Sequence, residues 1–198
     1  MTAIGKYQDS DLAYYSSHEK ISWADFEKEY FSREDKWKYE WVNGYVEQTE
    51  RTMNQYQFYI LANLRNLFED LKKAGKISGY LEAEVDAFFL ENVHRIPDIA
   101  YFTKEQVISM SQGHNQVPKW VIEIISKIDN INRVTKKLQN YRAAEVAVIW
   151  HIFPDLAEVH VYQGDNMTIL TGDKICSASP VLSAFEISVN DLFKKLEV

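Results

Sequence analysis

The sequence predicts an α/β fold in which a central mixed β-sheet is flanked by helices, and three observations predict it. Trp120-Val121-Ile122-Glu123-Ile124-Ile125 is an apolar run of strand length, of the kind that fills central strands covered on both faces. Gln57, Ile60, Leu61, Leu64, Leu67, Phe68 and Leu71 keep to one stripe of a long helix from Asn54 to about Lys73. Between the Trp120 run and a second strand, Glu145 to Phe153, lies the amphipathic segment Asn132 to Tyr141.

Taken in order, residues 1–20 are polar and aperiodic and are expected to form an N-terminal arm, leaving residues 21–198 as a single domain. Ser22-Trp23-Ala24-Asp25 has the form of a helix N-cap with an acid in the first turn, opening a short helix to about Phe31. Tyr39 to Glu47 alternates around Asn43-Gly44, a hairpin signal. Glu40 reads there, by pattern alone, as an exposed edge residue. Gly75 stops the long helix. Ile77 to Leu90 gives one or two strands with Glu84 and Asp86 inside the pattern, and Glu91-Asn92 turns into Pro97-Asp98. Residues 104–118 read as a loop with one helical turn. After Phe153, Pro154-Asp155 is a turn leading into the strand Ala157 to Tyr162. Short strands follow at Asn166–Leu170 and Lys174–Ser177, and a capped helix closes the chain from Ser188 to Lys195.

Composition narrows the function. The 198 residues, 46% hydrophobic and 14% aromatic, make an ordinary folded core. No apolar run has the length of a membrane helix, and the N-terminus lacks a signal peptide's apolar centre. The single cysteine, Cys176, excludes an internal disulfide framework and fits a reducing, cytoplasmic setting. The five histidines are scattered, which argues against zinc. A formal net charge of −7 argues against a protein that coats DNA nonspecifically, but not against an enzyme whose metal ions supply positive charge locally.

Three charged residues stand where packing alone wants apolar ones. Glu123 sits inside the Trp120 run, where a carboxylate is costly unless a cation or donors meet it. Lys137 shares the stripe Val134, Lys137, Leu138, Tyr141 and so points at the sheet, while Lys136 points away. Asp98 follows a proline at the start of the apolar run Ile99-Ala100-Tyr101-Phe102. Two carboxylates and a lysine on adjoining elements suit a divalent metal and an anionic substrate. The same residues also suit a buried Glu–Lys ion pair with an Asp in a strand-start turn.

YEWVNGYVEQ (Tyr39–Gln48), IPD (Ile96–Asp98), VIEIIS (Val121–Ser126), KKLQNYRAAEVAVIWHIFPD (Lys136–Asp155) and FEISVNDLF (Phe185–Phe193), in this order and spacing, resemble the Uma-type restriction endonuclease family of the PD-(D/E)xK nuclease superfamily. The resemblance covers roughly Ser22 to Phe193. It implies a restriction-endonuclease-like fold and a Mg²⁺- or Mn²⁺-dependent endonuclease, a hydrolase of phosphodiester bonds with DNA as substrate. Asp98 matches the family's PD aspartate, Glu123 its strand glutamate, and Lys137 a lysine carried by the following helix, four residues before the matching Tyr141. Asp98 and Glu123 are the implied metal ligands, together with the Ile124 carbonyl. Glu40 matches the family's hairpin glutamate, an auxiliary site residue. Pairing among relatives implies a homodimer.

The chain departs from the family at three places. Ser126-Lys127-Ile128 stands for Ser-Pro-Ser, Arg133 for an acid four residues before the lysine, and Asn54 for a histidine opening the long helix. These departures and the acidic charge favour a rival reading, a catalytically inactive module that keeps the fold to bind nucleic acid or protein. In a third reading Glu123 and Lys137 are simply a structural ion pair.

Overall fold

The protein is seen in a computed structural model that describes residues 19–50, 55–127 and 129–195. Most of the expected N-terminal arm, residues 1–18, lies outside the described residues, as do Asn54 and Ile128. Helix α1 (Trp23–Phe26) is capped by Ser22, whose hydroxyl accepts from the Asp25 N–H, and it runs on as a wider turn over Glu27–Phe31. The hairpin β1 (Trp37–Val42) and β2 (Tyr45–Glu50) turns at Asn43-Gly44, both at positive φ. Helix α2 (Gln55–Lys73) ends where Gly75 adopts φ +70°, with Lys76 N–H donating to the Leu71 carbonyl and Gly75 N–H to that of Lys72. That pairing satisfies carbonyls the helix leaves open.

Strands β3 (Tyr80–Ala83) and β4 (Ala87–Leu90) are separated by Glu84, at φ +52°, and by Asp86. Both acids therefore lie in a break and not within a strand. A strand that the sequence reading missed, β5 (Val93–Arg95), precedes β6 (Ile99–Phe102). The expected loop after it is instead a full helix, α3 (Lys104–Ser111), held by a capping box between Thr103 and Gln106. Next come β7 (Trp120–Ile124), α4 (Ile131–Ala143), β8 (Val148–Phe153), β9 (Glu158–Gln163), β10 (Asn166–Thr171), β11 (Ile175–Ala178), β12 (Leu182–Ser188) and α5 (Val189–Leu192). Pro154–Leu156 is a 3₁₀ turn between the antiparallel β8 and β9.

The main sheet has six strands in the order β10-β9-β8-β7-β6-β3 and is mixed, because β7 and β8 run parallel while its other pairs are antiparallel. The hairpin belongs to a separate four-stranded antiparallel sheet, β2-β1-β5-β4. One face of the main sheet packs Trp120, Ile122, Ile124, Trp150 and Ile152 against Ile60, Leu61, Leu64 and Phe68 of α2. Each such burial contributes about 1.5–3 kcal/mol. The other face offers Val121 and Ile149 to Tyr141 of α4 and to Val42, Ala87 and Phe89 of the second sheet. Glu123, two residues on from Val121, looks into this second layer. No described helix is long and apolar enough to cross a membrane.

Candidate active site

Strand β7 is buried on both faces, so Glu123 has little water to solvate it and is met by cations instead. Lys137 comes from α4, whose N-terminus is set by Asn130 accepting from the N–H groups of Asn132 and Arg133. Val134, Lys137 and Tyr141 form its buried stripe. The Lys137 ammonium lies 3.1 Å from Glu123 Oε1 and 3.4 Å from Oε2, and 3.1 Å from Glu40 Oε1. Tyr141 donates its hydroxyl to Glu123 Oε1. Asp98 stands just before β6, and extending the Ile99–Ile122 pairing by one step sets it across from Glu123. Its Oδ2 accepts from the Ile124 N–H at 2.8 Å and its Oδ1 from Lys38 Nζ at 3.1 Å.

Glu40 corrects the pattern-based reading. It is not an exposed edge residue but 0% exposed, because β5 pairs on the far side of β1 and makes β1 an interior strand. With period two, Lys38, Glu40 and Val42 turn toward α4 and β7, while Tyr39 and Trp41 pack with Phe26 in a third cluster. Behind Glu40 lies Arg95, itself 0% exposed. Its Nη1 donates to Glu40 at 2.9 Å and to Glu47, its Nη2 reaches Glu47 Oε1 at 3.4 Å, and Asn140 Oδ1 accepts from Nε and Nη2. Lys136, expected to point away, reaches Glu47 at 3.9 Å. Arg133 sits 3.6 Å from Glu47 and donates to the Gln48 carbonyl.

Sequence reasoning passed over Lys38, Glu47, Arg95 and Asn140. For Asn140 a signal was present, since it lies three residues after Lys137 and so on nearly the same helix face.

These contacts divide the acids. Burial works against the charge of Glu40, but Lys137, Arg95 and Lys38 together hold its carboxyl well below the usual carboxylate range. Burial also opposes Asp98, and Lys38, Lys137 and the Ile124 N–H outweigh it, so this acid too is lowered. Glu123 goes the other way. Burial pushes it up, and with Asp98 and Glu40 close by the attraction of Lys137 and Lys38 does not bring it back. The Lys38 ammonium is disfavoured by burial but raised on balance by Asp98, Glu123 and Glu40.

Lys38, Asp98, Glu123 and Lys137 line one cleft of about 610 Å³, which also takes in Arg133, Lys127 and His151. Among the described residues no group of three or more His, Cys, Asp or Glu is disposed to hold a metal. Asp98 and Glu123 instead offer hard oxygen donors, and a Mg²⁺-like ion that keeps several waters needs one or two carboxylates. The donor set fits such an ion.

His151 lies beside Glu123 in the β7–β8 pairing, 2% exposed, with Nε2 lacking a hydrogen-bond partner among the described residues. Burial, with His160, Lys137 and Arg142, pulls its pKa down from 6.5 to about 4. The folded state therefore refuses a proton that the unfolded chain accepts, and the stability present above pH 6.5 is lost as pH falls toward about 4. For His151→Leu the acid-induced loss should be smaller than in wild type by about 3 kcal/mol over that window. Urea unfolding at a series of pH values measures it, and parallel curves for the two proteins would refute it.

The mixed sheet with its flanking helices is a nuclease-type α/β fold. The solved structure of a "putative nuclease belonging to DUF820" from Anabaena variabilis is similar to it, with TM-score 0.65 and 21% identity over 78% of this chain and 89% of that one. A family model described as "Uma2: Putative restriction endonuclease" matches residues 23–190, and the chain belongs to that family. No curated protein matches the chain.

Proposed function

We propose that residues 21–198 form one nuclease domain that hydrolyses phosphodiester bonds in DNA with Mg²⁺ or Mn²⁺. The observation that carries this reading is the convergence of Lys38, Glu123 and Lys137, from three elements, and of Asp98, from the segment before β6, on one cleft. Asp98 and Glu123, with the Ile124 carbonyl, are the groups that would hold the ion. When bound, such an ion supplies Lewis acidity toward the scissile phosphate and acidifies water at neutral pH.

The protein's own part is positional and electrostatic. Glu40 and Glu123 fix the Lys137 ammonium between them, so it arrives pre-oriented to hold the attacking water and to offset charge that develops on the phosphate. Tyr141 fixes Glu123, and the Ile124 N–H fixes Asp98. Groups held in place beforehand leave less to reorganise when charge moves, which is where such sites gain most.

The test is nicking of supercoiled plasmid by wild type and Lys137→Ala, each with Mn²⁺, Mg²⁺ or EDTA. Wild type should nick with metal and stop in EDTA, and the variant should be slower by about 10²-fold or more. Equal nicking by both proteins would mean a contaminant or a misplaced site. No cleavage by either, across supercoiled, linear and single-stranded DNA, would favour the inactive binding module.

A further inference from the structure

Both oxygens of Asp98 already have protein partners, and the two are unlike. The Ile124 N–H on Oδ2 is fixed by the backbone of β7, whereas Lys38 Nζ on Oδ1 is the tip of a flexible side chain, 3.1 Å away. The Lys38 side chain is 9% exposed and that of Asp98 is 21% exposed, and both line the cleft. Tyr39 and Trp41 carry the apolar contacts of β1 on one face, Val42 carries them on the other, and Glu40 anchors Lys137.

The charge balance gives Lys38 a second meaning. Around the site four carboxylates (Glu40, Glu47, Asp98, Glu123) meet the buried cations Lys38, Arg95 and Lys137, with Arg133 and Lys136 also on Glu47. Arg95 is committed to Glu40 and Glu47, and Lys137 to Glu40 and Glu123. Among the described residues Lys38 is the cation within ion-pair distance of Asp98. A divalent ion drawing on Asp98 must settle within a few ångströms of that ammonium, and like charges so placed in a poorly solvated cleft repel strongly.

We propose that Lys38 competes with the divalent cation for Asp98 and thereby keeps the cation affinity of the site low. This rests on the metal-dependent reading above and adds an affinity-setting role for a residue outside the Asp98–Glu123–Lys137 constellation. With Lys38 present, an arriving divalent ion meets an ammonium 3.1 Å from the Asp98 oxygen it needs. With Lys38 neutralised, that oxygen has no competing charge beside it.

The test is Mn²⁺ binding by titration calorimetry, with no substrate present, to wild type, Lys38→Met, Lys38→Gln, Lys38→Arg and Asp98→Asn. Thermal melts first establish that each variant folds. Lys38→Gln keeps an N–H donor for Asp98 and so carries the test if Lys38→Met does not fold. The neutral variants should bind Mn²⁺ about tenfold more tightly or better. Lys38→Arg should bind no more tightly than wild type, and Asp98→Asn should abolish binding.

Unchanged or weaker binding by the neutral variants, with Asp98→Asn still abolishing it, would overturn the competition and leave the metal site standing, Lys38 being then a support for Asp98. Absence of binding in every protein, or binding that survives Asp98→Asn, would remove the metal site and the inference with it.

Discussion

Arg95→Met is expected to lower the unfolding free energy by about 3–5 kcal/mol, the usual cost of leaving buried carboxylates without their cation. The guanidinium is fully enclosed and holds Glu40, Glu47 and Asn140 in one planar fork. Lysine does not reproduce that geometry, so Arg95→Lys should recover little. The loss is bounded, because Glu47 keeps Arg133 at 3.6 Å and Lys136 at 3.9 Å, and Glu40 keeps Lys137 at 3.1 Å. Adding Glu47→Gln to Arg95→Met removes one of the stranded charges and should restore about 1–3 kcal/mol, the size of coupling expected between contacting charges. Urea denaturation of the four proteins in that cycle measures both numbers. A loss below about 1 kcal/mol for the single variant, within the range of ordinary surface changes, would show that the buried carboxylates do not depend on Arg95.

The same cluster shows how far the sequence could be read. Glu123 and Lys137 were legible because each interrupts a periodic apolar pattern, one of period two and one of period 3.6, and an interruption in a pattern is visible without knowing the partner. Asp98 was legible from its proline and the strand after it. Arg95 had no such pattern to interrupt. Its strand has three residues, Val93-His94-Arg95, too few for alternation to register, and it reads as part of a turn. Missing that strand had a further consequence. Without β5 beside it, β1 looks like an edge, and Glu40 then looks solvated; with β5 in place β1 is interior and Glu40 needs two cations. The four-stranded sheet escaped notice for the same reason, since its middle depends on the shortest strand. Helix α3 is a different kind of miss. Its residues are polar and give no stripe, yet Thr103 and Gln106 carry the spacing of a capping box, a local signal that hydrophobic periodicity overlooks. Strand β12 (Leu182–Ser188) has mixed burial, with Leu182, Phe185 and Ile187 inside at uneven intervals, and pairs with β11 across a register shift.

Glu123→Gln should separate catalysis from stability, abolishing metal-dependent nicking while leaving the protein without added metal as stable as wild type or more so. The reason is the direction of its pKa. Burial, with Asp98 and Glu40 nearby, raises Glu123 above its ordinary value despite Lys137 and Lys38, so the folded state holds the charged form at a net cost. For an acid raised in this way, the favourable contribution exists at low pH and turns unfavourable as pH rises through the folded value. Glu40 and Asp98 have the opposite sign, since their lowered values contribute stability at neutral pH that is lost as pH falls. The neutral amide at position 123 keeps an oxygen to accept from Tyr141 and Lys137 while removing the repulsion. At pH 7 the gain should be about 1 kcal/mol, the scale on which active sites trade stability for function, and it should shrink in acid as wild-type Glu123 takes up its proton. Added Mn²⁺ should raise the melting temperature of wild type and not that of the variant, because an ion that binds the folded state stabilises it by mass action. If Glu123→Gln instead destabilises the protein as much as Arg95→Met does, and Mn²⁺ shifts neither melt, then Glu123 and Lys137 are a structural ion pair and the cleft is not a metal site.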